Sequence, residues 1–375
     1  MKVGVPTEVK ADEYRVALTP AGVRELVDAG HQVYVQAGAG IGSALEDAAY
    51  AAQGAVIVAD AEALFGEATL IVKVKEPQPE EVARLEPRHT LFTYLHLAAE
   101  APLTRGLMES GATCIAYETV EDERGRLPLL APMSEVAGKL ATQAGAFMLE
   151  RPLGGRGILL GGVPGVAAAN VMVIGGGVVG MHAAFIALGM EASVYVFDRN
   201  IDRLRELDIA FGGRADTCFA TTLSIEERLP DVDLVIGAVL VRGARTPRIV
   251  TRQQLGLMKR NAVLVDVSID QGGCFETSHP TTHSDPVYEV HGVTHYCVAN
   301  MPGAVPVTST YALTNATIPY VLHLAGAGAV RAVTENPGLK LGVNVAGGQV
   351  TYAPVADAVG VPYFPVDEVL GAGSA

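Results

Sequence analysis

No Cys-x-x-Cys pair occurs in this chain, and its four cysteines, Cys114, Cys218, Cys274 and Cys297, are scattered along it. Such usage predicts buried free thiols in a reducing compartment. No run of lysine and arginine offsets a net charge of −14, so neither nucleic acid nor an anionic membrane is an expected partner. Small anionic substrates stay compatible, since a few local cations can hold them. No apolar run approaches the roughly 20 residues that a membrane-spanning helix needs. The N-terminus enters directly into a strand-like segment instead of a charged and apolar leader. The chain also lacks a short-period repeat. A soluble, cytoplasmic protein is therefore expected. What is present is ordinary globular composition, 49% hydrophobic and 18% charged, over 375 residues, enough for two domains with full cores.

The stretch from Val171 to Leu188 is the most informative. A short apolar run, Val171 to Ile174, reads as a buried parallel strand. It breaks into Gly175-x-Gly177-x-x-Gly180, after which apolar residues recur at helical spacing, with Gly189 as the expected C-cap. In such a turn Gly175 permits the tight bend and Gly177 lets the backbone approach a pyrophosphate. Gly180 lets the helix pack closely on the strand, and the helix N-terminus faces the phosphates. A second strand, Ser193 to Phe197, ends in Asp198, 18 residues past Gly180, where an acid suits the adenosine ribose hydroxyls. The segment predicts a dinucleotide site.

Strand and helix patterns alternate on both sides of it. Strands are expected at Lys2 to Val5, Gln32 to Val35, Val56 to Ile57, Leu70 to Lys75, Thr90 to His96 and Thr113 to Ala116. Thr19-Pro20 opens an intervening helix as N-cap and first residue. A helix around Ser134 to Leu149 leads to the glycine-rich connector from Gly154 to Gly165, and more strands follow near Thr217, Leu234, Val263 and Thr294. The fold class is α/β, with two doubly wound, Rossmann-like domains of parallel sheet. Helical pattern returns from Pro306 to Leu324, with Pro319 a candidate kink. The tail beyond Val343 has no sheet of its own to join. Residues 1–130 and 306–375 are therefore expected to form a discontinuous substrate domain, with a cofactor domain, 131–305, inserted in it and the active site in the cleft.

Ligands of open α/β sheets sit beyond the carboxyl ends of the strands. Arg15 follows the first strand, and Lys75 and His96 close two others, with alternation placing Lys73 and Lys75 on one face. Arginine and lysine there suit a small carboxylate, the arginine as a fork and the lysine as a point charge on an oxygen. Histidine suits proton transfer near neutral pH. In the second half, Asp270 lies past the end of a strand, before Gly272 and Gly273, which let the loop approach a ligand; Asn300 to Gly303 ends the next strand similarly. Both segments also read as plain turns. Two other stretches resemble sites. Ala37 to Ser43 is glycine-rich, but Ser43 replaces the third glycine and no matching acid follows, so a structural turn is expected. His279-Pro-Thr-Thr-His283-Ser-Asp285 imitates metal-ligand spacing, but Pro280 and Pro286 forbid the helix that would stack the histidines, and no metal is expected.

Several stretches together resemble the bacterial L-alanine dehydrogenase family. They are Gly4 to Lys10, Arg15 to Pro20, Val72 to Pro77, Leu91 to His96, Met133 to Gly138, and above all Asp266 to Gly273 with Thr277 to Asp285. The resemblance spans nearly the whole chain. It implies NAD-dependent, reversible oxidative deamination of L-alanine to pyruvate and ammonium by a homohexamer. It further implies substrate binding by Arg15 and Lys75, catalysis by His96 and Asp270, and cofactor contacts at Ser134, Asp198, Asn300 and Met301. Ala220 departs from the family, which carries a cofactor-touching serine there, so no role is transferred to it. A different class shares the same two-domain ancestry: the NAD(H)-binding subunit of proton-pumping transhydrogenase, which performs no chemistry on a bound substrate. A dehydrogenase of another small amino acid is a third reading.

Overall fold

The computed structural model describes residues 1–239 and 246–371, and these divide into two compact units, Met1–Met133 with Val305–Ala375, and Ser134–Ala304. Strands β1 (Lys2–Val5), β2 (Gln32–Gln36), β3 (Val56–Val58), β4 (Leu70–Val72), β5 (Thr90–Thr93) and β6 (Thr113–Ala116) belong to the first. The second contains β7 (Asn170–Ile174), β8 (Ser193–Asp198), β9 (Ala215–Phe219), β10 (Leu234–Gly237), β11 (Val263–Asp266), β12 (Val287–Val290) and β13 (Val293–Tyr296). The chain then returns to the first unit with β14 (Val343–Ala346) and β15 (Gln349–Val350).

The first sheet runs β15-β14-β6-β5-β4-β1-β2-β3. Its six N-terminal strands pair in parallel, which requires crossover segments and leaves β4 buried on both faces. The tail joins this sheet: β14 pairs antiparallel with β6. The sheet is therefore mixed, not purely parallel. Leu64, Phe65, Ile71, Leu91, Leu107, Cys114 and Val345 form one core on it. Thr19 caps the first helix, its hydroxyl accepting from Gly22 N at 3.3 Å with Pro20 in the first turn, as the sequence predicts. Pro319 lies inside the helix Pro306–Ala327 without ending it.

The second sheet runs β12-β13-β11-β10-β7-β8-β9, with only β12 antiparallel. Strand order reverses between β7 and β10, so the crevice between their carboxyl ends is the expected ligand position of such a sheet. Met172, Ile174, Val235, Leu264, Cys274 and Phe275 fill the core beneath it. Three cysteines are buried, but Cys218 is half-exposed on β9, and all four are free thiols. The helix Val178–Gly189 includes Gly189, and Met190 caps it.

Candidate active site

In the first unit, strands β6, β5, β4 and β1 are consecutive neighbours and parallel, so their carboxyl ends share one edge. The segments leaving that edge carry Glu118, His96, Lys75 and Arg15 in the same order. The sheet thus brings together three residues chosen from the sequence and one that was not.

Arg15 is 2% exposed and is gripped by Glu13, whose Oε1 accepts from Nε at 2.6 Å and whose Oε2 accepts from Nη2 at 2.5 Å. Nη1 lies 3.0 Å from Met133 Sδ. Burial opposes the charge, but the Glu13 carboxylate more than offsets it and raises the Arg15 pKa above its ordinary value. The fork that sequence reasoning reserves for a substrate is therefore already joined to a carboxylate within its own loop. That loop is pinned by the glycine-rich turn at Ile41–Ser43: Ser43 Oγ donates to Tyr14 O at 3.0 Å and lies 2.7 Å from Thr310 Oγ1, which accepts from Val16 N at 3.1 Å. A Cβ on Gly42 would sit 2.5 Å from Tyr14 O, so the turn's glycine serves packing.

Strand β4 stops at Val72, not at Lys75, and the two lysines beyond it part company. Lys73 is fully buried between Glu8 (3.0 Å) and Glu81 (2.7 Å). Burial works against its charge, and the two carboxylates restore it. Glu8 also accepts from the backbone N–H of Val74 at 2.6 Å and of Lys75 at 3.3 Å, which bends the segment over. Lys75 is only 8% exposed, yet its ammonium makes no hydrogen bond or ion pair among the described residues. Burial opposes the charge of the neighbouring Glu76 carboxylate, but the Lys75 ammonium helps to lower the Glu76 pKa, and the ammonium N–H groups are left to meet an incoming anion.

Strand β5 likewise ends at Thr93, short of His96. His96 adopts a left-handed backbone conformation, φ 52 and ψ 34, and opens the short turn Leu97–Ala99. Its imidazole is exposed and stacks on the Tyr94 ring, centroids 5.8 Å apart and planes within 5°. Tyr94 is held in turn by its hydroxyl on Leu129 O at 2.6 Å and by the edge of Tyr117. Glu118 accepts from Leu95 N at 3.1 and 3.2 Å and from His96 N at 2.6 Å.

In the second unit the glycine turn joins β7 to the helix Val178–Gly189. Gly175 has φ 103, and a Cβ there would lie 2.7 Å from Ala238 O; a Cβ on Gly180 would lie 1.8 Å from Gly175 O. A Cβ on Gly177 would meet nothing within 4 Å, so the mouth of the turn is open where a pyrophosphate would lie against the N-terminus of Val178–Gly189. Asp198 ends β8 and accepts from Gly176 N at 2.6 Å and Asn200 N at 2.8 Å. Those contacts fix its carboxylate at the rim of the glycine turn. Ser134 lies half-buried on the helix Ala131–Met148.

Asp270 is exposed, on the turn Ile269–Gln271 after β11, and its Oδ1 lies 3.4 Å from Asn300 N. Asn300 is left-handed, φ 59, and Met301, buried, begins the turn Met301–Ala304. The second glycine after Asp270 has a structural reason in place of the expected ligand approach. A Cβ on Gly273, φ 76, would press to 2.7 Å from Asp266 Oδ2, and buried Asp266 ties the loop through Ser268 N, Cys274 N and Ser278 Oγ. His279 stacks on Tyr288 at 3.7 Å, and His283 Nε2 lies 3.2 Å from Asn300 O. No group of three or more His, Cys, Asp or Glu able to hold a metal ion is found among the described residues.

Residues 4–137 match the family model "Alanine dehydrogenase/PNT, N-terminal domain" and residues 141–353 match "Alanine dehydrogenase/PNT, C-terminal domain". The chain is 58% identical over 371 residues to an alanine dehydrogenase of Halomonas elongata, covering 99% of this chain and 100% of that one. The chain belongs to the alanine dehydrogenase family. A solved L-alanine dehydrogenase superposes with a TM-score of 0.92 at 48% identity, over 96% of this chain and 99% of that one. A transhydrogenase from Sinorhizobium meliloti superposes with a TM-score of 0.80 at 26% identity, over 94% and 99%. Membership of the alanine dehydrogenase family makes this chain a pyridine-nucleotide-binding oxidoreductase acting on an amino acid.

Proposed function

We propose that the chain catalyses the NAD-dependent, reversible oxidative deamination of L-alanine to pyruvate and ammonium, with the first unit handling the substrate and the second the cofactor. The observation that carries this is the nearly buried Lys75 ammonium, without a hydrogen bond among the described residues, on the same sheet edge as Arg15 and His96. Bound NAD, held at Gly175, Gly177, Gly180 and Asp198 with Ser134, Asn300 and Met301, would accept the hydride of the alanine α-carbon. The chain's own residues do the rest. Hydride cannot leave that carbon while the nitrogen is an ammonium, so His96 first takes a proton from it. Hydride loss from the neutral amine then leaves an iminium; water adds to it, releasing one proton to solvent, and Asp270 orients that water and stabilises the cation. Collapse of the carbinolamine expels ammonia as His96 returns a proton to the nitrogen and the hydroxyl proton leaves to solvent, and Lys75 holds the developing carbonyl oxygen. Family resemblance also supports a homohexamer acting in the cytoplasm.

Lys75→Ala should weaken pyruvate recognition and lower turnover while NADH binding survives. Losing a charged hydrogen bond costs about 1.5–3 kcal/mol, roughly 10- to 150-fold. Lys75 is a cleaner probe than Arg15, because Arg15→Ala would also strand the Glu13 carboxylate in a buried site. Steady-state kinetics with separate NADH titration checks this; an equal loss of NADH affinity would place Lys75 at the wrong ligand.

NAD should be preferred to NADP, because a ribose 2′-phosphate would meet the fixed Asp198 carboxylate, with adjacent Arg199 only softening the repulsion. Comparing kcat/KM for the two cofactors, with alanine, glycine and serine as co-substrates, tests both the cofactor and the substrate assignment. Equal efficiency with both cofactors, or a better substrate than alanine, would overturn the corresponding half.

A further inference from the structure

We infer that Glu118 is the positioning residue of His96, fixing its backbone and facing its imidazole so that the ring stands ready for proton transfer; this rests on the catalytic reading of His96 above. His96 is a non-glycine residue at φ 52, ψ 34, a conformation that places Cβ too close to the following carbonyl oxygen and persists only where the surroundings impose it. What imposes it is visible. The Glu118 carboxylate accepts from two successive backbone N–H groups, Leu95 at 3.1 and 3.2 Å and His96 at 2.6 Å. Its Oε1 also lies 3.9 Å from His96 Nδ1, an ion-pair distance once the imidazole is protonated. Hydrogen bonds to an ionised acceptor are roughly twice as strong as neutral ones, so one carboxylate can hold a strained turn.

The second support comes from the residue beside it. Tyr117 is fully buried and meets the Tyr94 ring edge-on, centroids 5.1 Å apart at 84°, and Tyr94 is the platform on which the imidazole lies. The turn Tyr117–Thr119, placed directly after β6 next to β5, therefore addresses His96 twice: through the ring beneath the imidazole and through the carboxylate behind its backbone. A surface glutamate that merely capped a turn would need neither the ring platform nor the approach to Nδ1. During turnover the imidazole carries a proton between steps, and the backbone clamp keeps its direction.

Glu118→Ala and Glu118→Gln, each measured as turnover per NADH-binding site with its melting temperature, test the inference against His96→Ala. Glu118→Ala should lose on the order of 10- to 100-fold in kcat, the size expected for misplacing a reacting group. NADH affinity and the KM for pyruvate should change little. Glu118→Gln keeps one acceptor oxygen but loses the charge and turns an N–H₂ group toward a donor; roughly tenfold loss is expected. Should Glu118→Ala not fold, Glu118→Gln decides alone. Wild-type turnover per binding site in the folded Glu118 variants, with His96→Ala inactive, would overturn the positioning role only. Retained turnover in stable His96→Ala would instead sink the catalytic reading of His96, whatever Glu118 does.

Discussion

His96→Ala and Asp270→Asn should each cut turnover by orders of magnitude while NADH binding survives. Positioned acid–base groups contribute roughly 10²–10⁴-fold. The proposed chemistry asks for two proton movements, off the ammonium and onto the leaving nitrogen, and for an ordered water between them. His96 has what the first needs: an exposed imidazole, stacked on Tyr94 and beside Glu118. Asp270 has an exposed carboxylate whose Oδ1 lies 3.4 Å from Asn300 N, so it is available yet oriented. Because both serve the same sequence of proton transfers, the double variant should lose much less than the product of the two single losses. Neither residue is part of a core, so stability should move little. Steady-state kinetics on variants of known melting temperature checks this, and near-normal turnover from stable His96→Ala would refute the mechanism.

The second large effect concerns stability. Lys73→Met should destabilise the first unit by about 3–5 kcal/mol, the cost of breaking a buried ion pair and leaving the partners charged. Lys73 is fully buried, and Glu8 and Glu81 both depend on it. Glu8 also holds the backbone of Val74 and Lys75, so the same change should disturb the Lys75 loop and raise the KM for pyruvate. Chemical denaturation monitored by circular dichroism gives the stability. Lys73→Met combined with Glu8→Gln and Glu81→Leu should recover part of it, because no uncompensated charge then remains and an amide oxygen at position 8 can still accept from the backbone it holds. A melting curve for Lys73→Met that overlays the wild type would show that the triad does not carry the loop.

The glycine turn was legible at two positions because Gly175 and Gly180 answer steric demands that a sequence can express: Gly175 bends and Gly180 packs, whereas a Cβ on Gly177 would meet nothing within 4 Å. The positions of Arg15, Lys75 and His96 beyond the carboxyl ends of strands were legible for a similar reason, since an apolar run followed by a polar residue marks where a buried parallel strand emerges. Strand ends were legible for Lys2–Val5 and Thr113–Ala116 but not for the two strands that lead to Lys75 and His96. Alternation through Lys73 and Lys75 imitates a strand, and Lys73 N still donates to Phe92 O and Tyr94 N to Val74 O, but the Glu8 carboxylate takes the backbone N–H groups of Val74 and Lys75 and the regular strand ends at Val72. The stretch from Tyr94 to His96 fails in the same way, with Glu118 taking the N–H groups of Leu95 and His96. Glu8, Glu13, Glu81 and Glu118 were invisible because each glutamate acts only where the fold sets it beside a partner. Tail strand β14 was hidden too, since its antiparallel place beside β6 depends on an edge left open more than 200 residues earlier.

The most direct test of the account is to incubate the purified protein, with no partner added, with L-alanine and NAD and to quantify all three products. The account predicts NADH, pyruvate and ammonium appearing in equal amounts, with the reverse reaction consuming all three. A protein that binds NADH but forms none of these products from alanine would contradict it, and would favour a dinucleotide-presenting module instead.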